Sequence, residues 1–185
     1  MAILKIARMG HPVLRRAADP IGDPTAPEVA RLIEDMLETM LDANGAGLAA
    51  PQVHVPKRLV LFHVPRDDLD ADLPPELTVL INPVLAPLSD ETEEDWEGCL
   101  SVPGLRGLVP RHRLIRYSGL APDGSRIDRV AEDFHARVVQ HECDHLDGIL
   151  YPQRMPDLGK LVFQSELRHY LEPERLDAGA GEAVA

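Results

Sequence analysis

Residues 140–148 read QHECDHLDG, and this stretch fixes where a helix and a reactive centre must coincide. Upstream, Phe134 and Val138 share one side with His141 and His145 at helical spacing, which predicts a helix over residues 132–147. Gly148 stands where such a helix ends, because glycine takes the left-handed conformation of a C-terminal cap without a Cβ clash. The pattern HExxH then puts His141 and His145 one turn apart on one face, about 6 Å along the axis at ~1.5 Å rise per residue. Two imidazoles so placed can reach one metal ion. Glu142 follows the first of them and can take a proton from water and pass it on to a departing amine. The same three letters also arise on ordinary amphipathic helices, so the rest of the chain has to decide.

A catalytic zinc-type site takes three protein ligands and keeps one position open. A further His ten residues after the first, as in metzincin proteases, is excluded because that position is Tyr151. A Glu from a later helix, as in thermolysin-like proteases, has a tolerable candidate in Glu166, although residues 164–167 (QSEL) do not match that family's second motif. The remaining candidate is Cys99, in residues 97–104, EGCLSVPG. Cys143 lies about 200° around the helix from His141 and reads as a packing residue; Asp144, also off the ligand face, reads as structural. With Cys99 and Cys143 as its two cysteines, the chain has no disulfide framework, which suits a reducing cytoplasm.

Around this centre the 185 residues read as a single α+β domain, with a metal-binding helix among antiparallel strands, an N-terminal amphipathic helix and a C-terminal helix. The first helix spans residues 27–41, where Val29, Leu32, Ile33, Met36, Leu37, Met40 and Leu41 recur at helical spacing, with Thr25 as cap. Its acidic face, Glu34, Asp35 and Glu38, reads as solvated. Strands are expected over residues 58–64, 78–85, 113–120 and 126–130, with a surface loop at 67–75 and a hairpin turn at Pro122, Asp123 and Gly124. Residues 158–171 read as helix. The catalytic unit is expected over residues 1–172, with 173–185 a loosely ordered tail.

A formal net charge of −12 disfavours a general nucleic-acid binder, although residues 106–116 hold a local basic cluster. No apolar run approaches the ~20 residues of a membrane span, and no basic, then apolar, leader opens the chain. Membrane anchoring and translocation are therefore not expected.

Three strings together carry a resemblance: GAGLAAPQ at 45–52, EGCLSVPG at 97–104 and QHECDHLDG at 140–148. In this order they resemble the signature motifs of the peptide deformylases, and the likeness extends to MGHPVLRRAAD at 9–19, RGLVPRHRLI at 106–115 and DGILYPQRM at 147–155. It covers the chain to about Met155 and fades beyond. The resemblance implies hydrolysis of the formyl group from N-terminal formyl-methionine, releasing formate. It implies that Cys99, His141 and His145 bind one divalent ion, that Glu142 is the acid and base, and that the Gln52 amide and the Leu100 N–H stabilise the oxyanion. It implies ferrous iron in use, with zinc, nickel or cobalt able to substitute, a cytoplasmic enzyme, N-formylmethionyl peptides as substrate, and room for a transient ribosome contact.

Other residues belong to the substrate side of this reading. Gly45 and Gly47 permit close backbone approach, so residues 45–47 could pair with an extended peptide as an added strand would. Ala46 stands where the family more often has Val or Ile. Phe134, Arg137 and Val138 precede His141 by seven, four and three positions, which turns them toward an apolar slot for methionine, the Arg137 stem serving as wall. Two rivals stay open at this stage: a metalloprotease with a different third ligand, and a silent binding module on the same fold.

Overall fold

A computed structural model describes residues 2–64 and 76–172. The expected surface loop at 67–75 and the tail at 173–185 lie outside the described residues. Among the described residues three helices, α1 (Pro27–Asp42), α2 (Asp133–Leu146) and the short α3 (Leu167–Leu171), accompany eight strands. These are β1 (Gly47–Ala49), β2 (Leu59–Val64), β3 (Glu76–Pro87), β4 (Thr92–Cys99), β5 (Val102–His112), β6 (Leu114–Leu120), β7 (Arg126–Glu132) and β8 (Leu161–Phe163). One antiparallel sheet runs β1-β2-β3-β6-β7 and a second β4-β5-β8, so the α+β expectation holds.

Strand β2 explains why the larger sheet is covered on both sides. Its residues 59–62 read LVLF without polar alternation, as a strand buried on both faces does. Val60 and Phe62 join Val139, Cys143 and Leu146 of α2, whereas Leu59 and Leu61 join Met36 and Met40 of α1. The two helices therefore clasp the sheet from opposite faces. A third core, Val102, Val109, Leu150, Tyr151 and Met155, fills the space beneath the smaller sheet.

Four expectations need correction. Helix α1 forms as read but is not capped by Thr25; its N-cap is Ala26, Pro27 supplies the preset φ of the first turn, and Thr25 turns back to Asp23. Strands β4 and β5 were not expected. In β4 only Glu97 of the run Glu93–Glu97 is buried, with Trp96 half-buried beside it, so its charges hide the strand period, and β5 is interrupted by Pro103, Gly104, Gly107 and Pro110. The short β1 was likewise not anticipated. The single helix expected over residues 158–171 breaks into a 3-10 turn (Leu158–Lys160), β8 and α3. Leu161–Phe163 pairs with Leu105–Gly107 on the open edge of β5, and that main-chain pairing overrides the helical period.

Candidate functional site

Helix α2 carries many polar groups for a helix buried from Ala136 to Leu146. Buried charge must be paired, and the partners reveal the site. Arg137 donates to Glu97 (2.9 Å) and to the main-chain oxygens of Val109 and Glu93 (2.8 and 2.7 Å). Asp144 accepts from Arg111 and Arg154. The Nδ1 of His141 lies 2.8 Å from Glu97 Oε2, and Arg111 reaches Glu97 through two hydrogen bonds of 2.8 and 3.0 Å. Glu97 is thus the hub of a buried network that joins the tip of the β4–β5 hairpin to α2. Burial alone would raise its carboxyl, but hydrogen bonds from Arg111 and His141 outweigh that and bring it down to about 2.

With Nδ1 of His141 tied to Glu97, its Nε2 is left for the site. His145 presents Nε2 3.4 Å from Cys99 Sγ. Cys99, His141 and His145 each offer one ligand atom within 4.8 Å of the others, the group a metal ion needs. A carboxylate holding the far nitrogen of a ligating imidazole is the usual outer support of such a centre. Burial lowers both imidazoles; hydrogen bonds to Cys99 and Glu97 then raise His141 well above its ordinary value, while His145 stays well below. The negative groups around His141 favour positive charge at this point, which a divalent ion satisfies.

Cys99 reaches the centre because β4 ends there: the hairpin closes on Leu100 and Ser101, with Cys99 opposite Val102. The register shifts between Glu97 and Cys99, at Gly98, a bulge that re-aims the strand. A Cβ at Gly98 would stand 2.6 Å from Cζ of Arg106.

Gln52 comes from the turn after β1 and is fully enclosed. Its Oε1 accepts from the Ala49 N–H (2.8 Å), which leaves the amide NH2 facing Ser101 Oγ (3.2 Å) and Cys99 Sγ (3.5 Å). Glu142 is buried with its Oε2 unpaired, and burial pushes its carboxyl up to about 7 despite the charge of His141. Gly47 is the neighbour that makes room: a Cβ there would fall 2.6 Å from Glu142 Cδ.

A pocket of about 590 Å³ opens on these groups. Each residue expected on the substrate side lines it: Gly45, Ala46, Gly47, Phe134, Arg137 and Val138. Leu100 lines it too. Arg137 differs from a plain hydrophobic wall, since its guanidinium is committed to Glu97 and the strand carbonyls. Cys143 is buried in the core with its thiol pushed up by burial, and Asp144 sits in ion pairs, as expected of residues off the ligand face. Glu166, the protease-type third ligand, is exposed, bonded by Ser165 and outside the ligand group. The basic cluster at 106–116 is dispersed: Arg111 is buried, and Arg113 and Arg116 pair with acidic neighbours.

Sequence reading missed the roles of Glu97, Ser101 and Arg111 in holding this centre. It also missed that Tyr151 stacks on His141, ring centroids 6.3 Å apart. A signal existed for Glu97, an acidic residue two positions before Cys99 and so on the same face of a regular strand, although the bulge at Gly98 breaks that alternation here. None existed for Arg111, whose partners are 14 and 33 residues away.

Comparison with known proteins agrees with this geometry. Residues 3–161 match the family model described as polypeptide deformylase. "Peptide deformylase 1" of Bordetella pertussis is 57% identical over 169 residues, 91% of this chain and 96% of that protein. "Peptide deformylase 2" of Ralstonia nicotianae is 55% identical over 162 residues, 87% of this chain and 92% of its own. Among solved structures, a Met-Ala-Ser-bound class I type b peptide deformylase from Acinetobacter baumannii superposes with TM-score 0.76 at 36% identity, over 83% of this chain and 99% of that one. Peptide deformylase from Thermotoga maritima gives TM-score 0.76 at 32% identity, over 85% of this chain and all of its own.

Proposed function

The chain belongs to the polypeptide deformylase family and is an enzyme that removes the N-formyl group from nascent peptides, and from that premise we propose how its own residues divide the work. Cys99, His141 and His145 hold one divalent ion, which when bound supplies a Lewis acid that acidifies water and polarises the formyl carbonyl. Glu142, with an unpaired buried oxygen, takes a proton from the attacking water and later delivers it to the amine as formate departs. The Gln52 Nε2–H and the Leu100 N–H meet the oxyanion that develops on the formyl oxygen. Glu97 holds His141 in the tautomer that turns Nε2 inward.

On the substrate side, the peptide lies along residues 45–47, and the methionine side chain enters the pocket beside Phe134 and Val138 and the Arg137 stem. That the Acinetobacter relative was solved with Met-Ala-Ser bound supports a methionine-led peptide as the ligand. We assign ferrous iron as the ion in use, with zinc, nickel and cobalt as substitutes; one sulfur and two nitrogens suit all four. A centre that needs Cys99 as a free thiol fits a reducing cytoplasm, and a transient ribosome contact fits a substrate made there.

The observation that carries this reading is the convergence of three ligand atoms within 4.8 Å of one another, with Gln52 Nε2 3.5 Å from the sulfur. Paired serine substitutions test it. Cys99→Ser should lose most of the bound metal and the deformylase activity, whereas Cys143→Ser should keep both. Equal metal retention in the two variants contradicts the assignment.

A further inference from the structure

A groove of about 760 Å³ runs beside the N-terminal segment, outside the pocket described above. It shares Ala43, Leu100 and Pro103 with that pocket, so the two adjoin along these residues. Its wall is tied to the catalytic elements: the Ala7 N–H donates to the Gln52 main-chain oxygen and the Met9 N–H to that of Ser101, both at 2.7 Å. The floor is apolar. The rim is not, for Lys5, Arg8, His11 and His54 stand exposed on it against the one carboxylate of Asp42. His11 and His54 meet edge to face, with centroids 4.6 Å apart. Among the described residues Lys5 and Arg8 have no carboxylate in ion-pair contact. On a chain of net charge −12, unpaired cations gathered along one groove run against the prevailing field.

Geometry connects this groove to the substrate. The reacting end of a bound peptide must stand by Glu142, which abuts Gly47. From there the pocket follows residues 46, 45 and 44 back to Ala43, where the groove begins. Residues 43–45 form the turn that ends α1, with Asn44 in the left-handed conformation, so a peptide extended at ~3.3 Å per residue spans the path in fewer than four steps, and its residues from about the fourth onward stand over the groove. We infer that this groove is a further subsite for the substrate polypeptide, and that Lys5 and Arg8 favour acidic side chains there. The inference rests on the seating along residues 45–47 proposed above.

The test uses formyl-Met-Ala-Ser and two formylated nonapeptides that begin with the same three residues and carry Glu or Lys at positions five to eight. Wild type is compared with the Lys5→Glu/Arg8→Glu double variant, by formate release at low salt. The global charge favours the Lys peptide; the groove favours the Glu peptide. The expected result is a kcat/KM about five-fold higher for the Glu peptide, expressed in KM and weakened by salt. The double variant should reverse it while treating formyl-Met-Ala-Ser as wild type does. Equal rates on the two nonapeptides, or a preference that survives the charge reversal, overturns the inference. Two tripeptides, N-methylated singly at the alanine and at the serine, separate the two layers, because adjacent amides of an extended chain alternate in facing a pairing strand. If both react as fast as their parent, the seating along residues 45–47 fails and the groove with it; if either is slowed while the nonapeptides react alike, the groove alone fails.

Discussion

Glu142 must be ionised to accept a proton, yet burial holds its carboxyl up at about 7, and a divalent ion bound beside it pulls the value down. Because the working form is the carboxylate, activity should fall as pH drops through its pKa, on an acid limb lying below 7 in the metal-loaded enzyme. A pH profile of kcat whose acid limb lies above 7, or is absent across the range where the metal stays bound, would count against Glu142 as the base. Gly47→Ala tests the same carboxylate from the other side. The new Cβ occupies space now held by Glu142, so formate release should drop about 100-fold with metal content and fold retained. At this scale Cys99 was legible only through its neighbours, since an isolated cysteine reads as a small buried hydrophobe. Arg111 was not legible at all, because nothing in a string of residues says that an arginine will be enclosed.

Between elements, the network around Glu97 is what joins the β4–β5 hairpin to α2. Its carboxyl falls from an ordinary 4.5 to about 2, so its contribution to stability is complete above 4.5 and is lost as pH falls from there through 2. That contribution is of the order of 3 kcal/mol. Acid titration followed by circular dichroism should find the steepest destabilisation in that window, and Glu97→Gln should remove it. Arg111→Met leaves Glu97 and Asp144 without their shared cation and should cost about 3–5 kcal/mol in urea unfolding. Helices α1 and α2 and the β2, β3, β6 and β7 strands could be read from period and turn residues, because one driving pattern dominates each. Strands β4 and β5 could not: the outward face of β4 is acidic and β5 contains two prolines and two glycines, so pairing rather than pattern defines them. For β8 the deciding partner is the edge of β5, more than 50 residues earlier, which no local period reports.

At the scale of the whole molecule, the centre draws on three regions distant in sequence: the turn after β1, the tip of the β4–β5 hairpin and the C-terminal half of α2. The two sheets and the clasping helices bring them together, and an ion held by Cys99, His141 and His145 would also link the smaller sheet to α2. Chelation should lower the thermal midpoint, by the equivalent of about 2.7 kcal/mol for an ion present at 100 times its Kd. If ferrous iron is the ion in use, activity should decay in air and persist longer after exchange to nickel or cobalt; equal decay of all metal forms contradicts that assignment. The central claim is that this chain's own residues perform deformylation with Glu142 as the proton carrier. Its most direct test is formate release from formyl-Met-Ala-Ser by anaerobically purified protein and by Glu142→Ala, with metal quantified in both. The account predicts full metal in each, formate from the parent, and a rate lower by 100-fold or more in the variant. A metal-loaded parent that releases no formate, or a metal-loaded variant that keeps pace with it, would contradict the account.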